Sequence, residues 1–136
     1  MTTDARPAPD TTAESQPYWD GLREHRLMLQ RCTRCLTPRH YPRPMCASCH
    51  SLDAEWFEAA GVGTVHSWTV SHHAFHPGFK DATPYTLVTA DLDAGVRMVA
   101  PLAMPPDQPL SLGAPVVLEY HDVSNELTLP RFRIHE

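Results

Sequence analysis

Two cysteine pairs are the residues of this sequence best suited to chemistry. Cys32 and Cys35 flank two residues, ten residues intervene, and Cys46 and Cys49 flank two more. Four thiolates at that spacing can enclose one tetrahedral zinc ion, and with four protein ligands no position stays open for a reacting water. They are also all the cysteine in the chain, so none is left for a disulfide or a thiol nucleophile. The predicted chemistry is therefore structural: one zinc per chain, held by Cys32, Cys35, Cys46 and Cys49. His50 is read as a bystander, because the neighbour of a ligand seldom turns to the same metal.

A second cluster combines His72, His73 and His76 with Phe75, Pro77 and Phe79. In a strand, His72 and His73 would point to opposite faces, which argues against a second metal site. The simplest expectation is a polar loop, and its apolar members make it a candidate for contact with a ligand or partner. Catalytic constellations are missing. The sequence has no nucleophile elbow, phosphate loop or dinucleotide fingerprint. Asp91 and Asp93 read as a solvated pair beside a turn, and Gly61-Val62-Gly63 as a junction that needs backbone freedom.

The elements that must position these residues follow from patterning. Residues 1–16 lack apolar periodicity and are read as a disordered leader. Pro17 can open a short amphipathic helix carrying Tyr18, Trp19, Leu22 and Arg26, with Trp19 as its anchor. Leu27 to Arg31 suits a strand that delivers Cys32. Pro38, Pro42 and Pro44 exclude a helix between the cysteine pairs, so Arg39 to Tyr41 should return extended. That is a zinc ribbon rather than a finger with ligands on a helix. Trp56 and Phe57 leave it in an extended segment, placing helix and ribbon in residues 17–60.

Residues 61–136 are strand-like throughout. The candidates are Thr64 to Ala74, Pro84 to Leu92 with apolar positions at Tyr85, Leu87 and Val88, Val96 to Met104, Val116 to Tyr120, and Leu127 to Ile134. Leu110 and Leu112 should anchor the proline-rich connection inward. Five short strands without βαβ alternation favour a small barrel, and the five-stranded OB fold is the obvious member. The predicted fold class is mainly β: an N-terminal helix and rubredoxin-like zinc ribbon, then an OB-fold barrel.

Charge narrows the partners. The formal net charge is -5, and closing a four-thiolate zinc site lowers it by a further two. This argues against a general nucleic-acid binder, whose affinity rests on cations, and disfavours an oligonucleotide-binding OB module. Six of the 11 basic residues crowd into one stretch, Arg23, Arg26, Arg31, Arg34, Arg39 and Arg43. They could offset the anionic zinc site or offer a basic face to a phosphorylated ligand. No apolar run approaches the roughly 20 residues of a membrane span, and free cysteines suit a reducing cytoplasm.

The order of parts is itself informative: Tyr18-Trp19, then Leu29-Gln30-Arg31-Cys32-x-x-Cys35, Pro42-Arg43-Pro44-x-Cys46-x-x-Cys49, Gly63-Thr64-Val65-His66-Ser67-Trp68-Thr69-Val70 and Leu129-Pro130-Arg131-Phe132. Over residues 17–134 this resembles the zinc-ribbon and OB-fold acyl-CoA-associated proteins, the family catalogued as domain of unknown function thirty-five. That family usually has glycine after the last ribbon cysteine, where this chain has His50. The resemblance implies a non-catalytic partner of thiolase-superfamily enzymes, among them acyltransferases, synthases and the aldolases of steroid side-chain degradation. Some relatives are fused to MaoC-type hydratases. In such a role Trp19, His72, His73, Phe75, His76, Phe79, Arg39 and Arg43 are the candidate contacts for the partner enzyme or for acyl-CoA. The alternative is a stand-alone acyl-CoA-binding OB-fold protein.

Overall fold

The computed structural model describes residues 6–103 and 109–135. Helix α1 (Gln16–Arg23) leads into a three-stranded antiparallel sheet of β1 (Leu27–Cys32), β2 (Pro38–Arg39) and β3 (Ala54–Ala59), with β1 in the centre. Five further strands follow: β4 (Val62–Ser71), β5 (Tyr85–Leu92), β6 (Arg97–Pro101), β7 (Pro115–Asp122) and β8 (Thr128–Ile134). They are ordered β6-β5-β4-β7-β8. Leu102 bridges Phe132 in parallel, and the Ala103 N–H donates to the Phe132 carbonyl at 2.7 Å. That contact brings the two edges together and nearly closes an OB-fold barrel.

Alternation selects the barrel interior. Along β5, Thr86, Val88, Ala90 and Leu92 are buried, and Met98 and Ala100 of β6 join them. Phe132 is fully buried among Val65, Val116 and Leu118. Of the three apolar positions read on this strand, Val88 belongs to the buried set, whereas Tyr85 and Leu87 alternate with it and lie on the outer face. Two of the four inward residues, Thr86 and Ala90, are small or polar, so hydrophobicity alone does not decide which face of the strand is buried.

Helix α1 packs on the same core through Tyr18 and Leu22, at 6% and 0% exposure. Trp19 was expected to anchor it, but it is only partly buried, with its ring edge-on to Tyr18. Leu27 and Leu29 of β1 complete a core shared by ribbon and barrel.

The junction glycines differ in their reasons. Gly61 has a φ of 71° and does supply backbone freedom. Gly63 is needed for closeness: a Cβ there would collide with the Asp91 carbonyl and come within 2.8 Å of Leu92 Cα. Leu110 packs against the core as expected, whereas Leu112 is 70% exposed and anchors nothing. Met104 and residues 105–108 of the proline-rich connection lie outside the described residues.

Candidate metal centre and contact surface

The two cysteine pairs form equivalent turns. In the first, the Leu36 N–H donates to the Cys32 carbonyl at 3.0 Å, and the Arg34 N–H reaches Cys32 Sγ at 3.4 Å. In the second, the His50 N–H donates to the Cys46 carbonyl at 2.9 Å, and the Ser48 N–H reaches Cys46 Sγ at 3.4 Å. Leu36 and His50 both have a φ of 64°. His50 thus takes the left-handed position that glycine would fill more cheaply, and the turn keeps its geometry.

The four Sγ atoms lie within 4.8 Å of one another, with Cys32–Cys49 and Cys35–Cys46 at 3.5 Å. Zinc–sulfur bonds of about 2.3 Å at tetrahedral angles place sulfurs about 3.8 Å apart, so the quartet fits the ion. Cys32 and Cys46 are buried while Cys35 and Cys49 are exposed, which seats the metal at the surface end of β1. Backbone N–H groups, that of Cys35 first and then that of Arg34, pull the Cys32 thiol down to about 6. At Cys49 the Ser51 N–H acts in the same direction, but the neighbouring sulfurs, Cys32 first, together with partial desolvation outweigh it and push that thiol up to about 11. A metal-free quartet therefore keeps protons that zinc must displace.

Gln30, buried on central strand β1, braces the approach to the second turn. Its Oε1 accepts from Arg39 Nε at 2.8 Å and from the Arg43 N–H at 2.9 Å. The six arginines do not form one free basic face. Arg23 pairs with Asp20, Arg26 with Glu58 and Glu24, and Arg31 with Glu55. Arg39 turns inward onto Gln30 and the Arg43 carbonyl. Arg34 and Arg43 alone of the six have guanidinium groups with no ion pair or hydrogen bond among the described residues.

Comparison with known proteins agrees with this geometry. The domain family described as ChsH2, rubredoxin-like zinc ribbon domain, matches residues 19–55, and ChsH2, C-terminal OB-fold domain, matches residues 56–121. A solved chain of the Ltp2-ChsH2(DUF35) aldolase has a TM-score of 0.82 at 38% identity, covering 93% of this chain and 98% of that one. The chain belongs to the DUF35 family. The quartet is accordingly its structural zinc site. A DUF35-family protein from Sulfolobus solfataricus shares the fold with a TM-score of 0.60 at 17% identity, covering 92% of this chain and 87% of that one.

Two curated relatives are longer. The probable enoyl-CoA hydratase alpha subunit of Thermomonospora curvata is 40% identical over 94% of this DUF35 chain and 40% of its own length. The 3-oxo-4,17-pregnadiene-20-carboxyl-CoA hydratase alpha subunit of Mycobacterium tuberculosis is 30% identical over 88% of this chain and 37% of its own. The chain thus spans about two fifths of the length of these relatives.

The remaining candidates of the DUF35 chain sit apart from the metal. Residues 72–84 form the β4–β5 loop, including a single 3-10 turn at Pro77–Phe79. Its histidines do not converge. His76 Nδ1 accepts from the Gly78 N–H at 2.9 Å and caps that turn, His73 meets the Phe75 ring edge-on, and His72 is exposed. Among the described residues no second group of three metal-ligating side chains accompanies the quartet. Phe75 is 85% exposed, whereas Phe79 is partly buried against Tyr85. Asp91 pairs with Arg97 and His66 instead of sharing a site with Asp93. No helix among the described residues is long and apolar enough to cross a membrane.

Hydrophobic alternation could not reveal the Gln30 brace. The one available signal was Gln30 directly after the apolar run Leu27-Met28-Leu29, two residues before a ligand.

Proposed function

We propose that this chain is a non-catalytic accessory subunit of a thiolase-like aldolase that acts on acyl-CoA, stabilising the complex and helping to hold the acyl-CoA. The observation that carries this reading is the likeness, over nearly all of both chains, to a solved chain of the Ltp2-ChsH2(DUF35) aldolase. The chain's own chemistry fits the role. Its metal sphere is filled by four thiolates, and the loop bearing Phe75 presents apolar surface to solvent. The name of the Mycobacterium tuberculosis relative supports steroid side-chain acyl-CoA as the substrate class. A four-thiolate site also suits the reducing cytoplasm.

A second reading is favoured by the relatives named as hydratase alpha subunits: the partner is a MaoC-like hydratase. One experiment separates the two. The tagged chain is captured from its host under native conditions, bound proteins are identified by mass spectrometry, and zinc is quantified on the same eluate. A thiolase-like enzyme with about one zinc per chain supports the aldolase role, and a hydratase in its place supports the second reading. A zinc-loaded chain without partner would overturn both and leave the stand-alone acyl-CoA binder.

A further inference from the structure

The outer face of the barrel carries a groove that neither the zinc nor its brace uses. Because β5 buries Thr86, Val88 and Ala90, it must present Tyr85 and Leu87 outward, and Leu87 pairs in register with the outward Pro101 of β6. Leu129 and Pro130 of β8 line the groove from across the barrel seam, and Phe79 of the 3-10 turn joins Tyr85 at 5.5 Å between ring centroids. The cavity holds about 590 Å³, within the roughly 300–1,000 Å³ range of small-molecule sites.

Its place in the fold is that of a binding site. β5 and β6 are the second and third barrel strands, and residues 72–84 are the loop between the first and second. In OB folds this face and loop hold oligonucleotides and sugars. The lining excludes those ligands, since leucine and proline stand where a strand-binding surface needs stacking platforms within a basic channel. Three side chains able to carry charge also line the groove: Arg6, His121 and Arg131. Arg131 is neutralised by Glu119. The Arg6 guanidinium stands 4.6 Å over the Phe79 ring and has no carboxylate partner among the described residues. Apolar walls beside a cation with no carboxylate partner among the described residues define the complementary ligand.

We propose that this groove binds a small apolar carboxylate, with its hydrocarbon on Leu87, Pro101 and Leu129 and its carboxylate toward Arg6 and His121. The site belongs to the chain alone and does not depend on which enzyme the chain accompanies.

Octanoate and octanol, titrated separately into the zinc-loaded full chain and followed by NMR and calorimetry, test the assignment. Octanoate should bind and shift the methyl resonances of Leu87 and Leu129. Leu87→Asp, on the outer face, should lower affinity for both probes by about tenfold or more. Leu129→Ser serves as a second variant should Leu87→Asp lose its fold, with zinc content and melting temperature as the controls. Arg6→Ala should weaken octanoate by about threefold or more and leave octanol unchanged. Failure of octanoate to bind, or wild-type affinity in the variants, overturns the proposal. So does an octanoate site that shifts other residues only. If Leu87→Asp breaks partner capture in a chain that binds no octanoate, the groove is a protein interface and the proposal falls while the accessory role stands.

Discussion

Gln30 and Arg39 are locked side by side on the ribbon, the Arg39 Nε donating to Gln30 Oε1 at 2.8 Å while the same oxygen accepts from the Arg43 N–H. Gln30 is 7% exposed, so water cannot replace it. Arg39 already keeps a buried Nη1 without a partner among the described residues. Gln30→Leu preserves the volume but strands two donors, at a cost of about 2 to 3 kcal/mol. A lower melting temperature and faster zinc release to a chelator are expected. An unchanged release rate would mean that the second turn holds itself.

The zinc site makes a larger demand. Loss of one thiolate leaves three ligands, and structural zinc contributes on the order of 10 kcal/mol to the folding of small modules. Cys46→Ser should lose the metal and unfold residues 27–59, because Leu27 and Leu29 reach the shared core only while β1 is held. Zinc quantification with a thermal melt decides this, and full occupancy with wild-type stability would refute the quartet.

The legible parts of the molecule were those whose physics is local. Ligand spacing specified the ribbon, proline excluded a helix between the cysteine pairs, and β-branched and aromatic runs located the five barrel strands of the described residues to within a few positions. Tertiary packing hid the rest. Of the apolar positions read on β5, only Val88 is buried, and nothing local says that Thr86 and Ala90 share its face while Tyr85 and Leu87 take the other. Trp19 read as an anchor because it is the largest apolar group on its helix, while burial went to Tyr18 and Leu22. The crowded arginines left open whether they offset the zinc site or form a basic face, and the partners of Arg26 and Arg31 on β3, Glu58 and Glu55, could not be read because they lie more than twenty residues away.

His40 makes stability depend on pH. Burial lowers its pKa from 6.5 to about 4, beside the rings of Tyr18 and Tyr41 and next to Arg39 in sequence. The unfolded chain takes up a proton that the folded chain refuses, so the contribution is fully present above about pH 6.5 and is lost as pH falls toward 4. The full shift corresponds to about 3 kcal/mol. His40→Phe keeps the ring and removes the titration, and its melting temperature should fall less steeply than wild type between pH 7 and 5. Zinc content measured on the same samples separates this from metal loss, and parallel slopes at equal zinc content would exclude His40.

Phe75 and Trp19 should answer differently when each is cut to alanine, because the fold has invested in only one of them. Phe75 is 85% exposed and touches little besides the edge of His73, so Phe75→Ala should change stability by no more than about 0.5 kcal/mol. If the loop is a contact, the same change should weaken the captured partner by roughly 2 kcal/mol or more, about thirtyfold in affinity. Trp19 packs against the core beside Tyr18. Its removal should cost stability first, by about 1 to 3 kcal/mol, and binding only as far as its exposed edge takes part. Paired measurements of melting temperature and partner affinity on both variants test the scheme. A Phe75→Ala chain that melts early would show that the loop belongs to the fold, and one that binds its partner normally would move the interface elsewhere on the barrel.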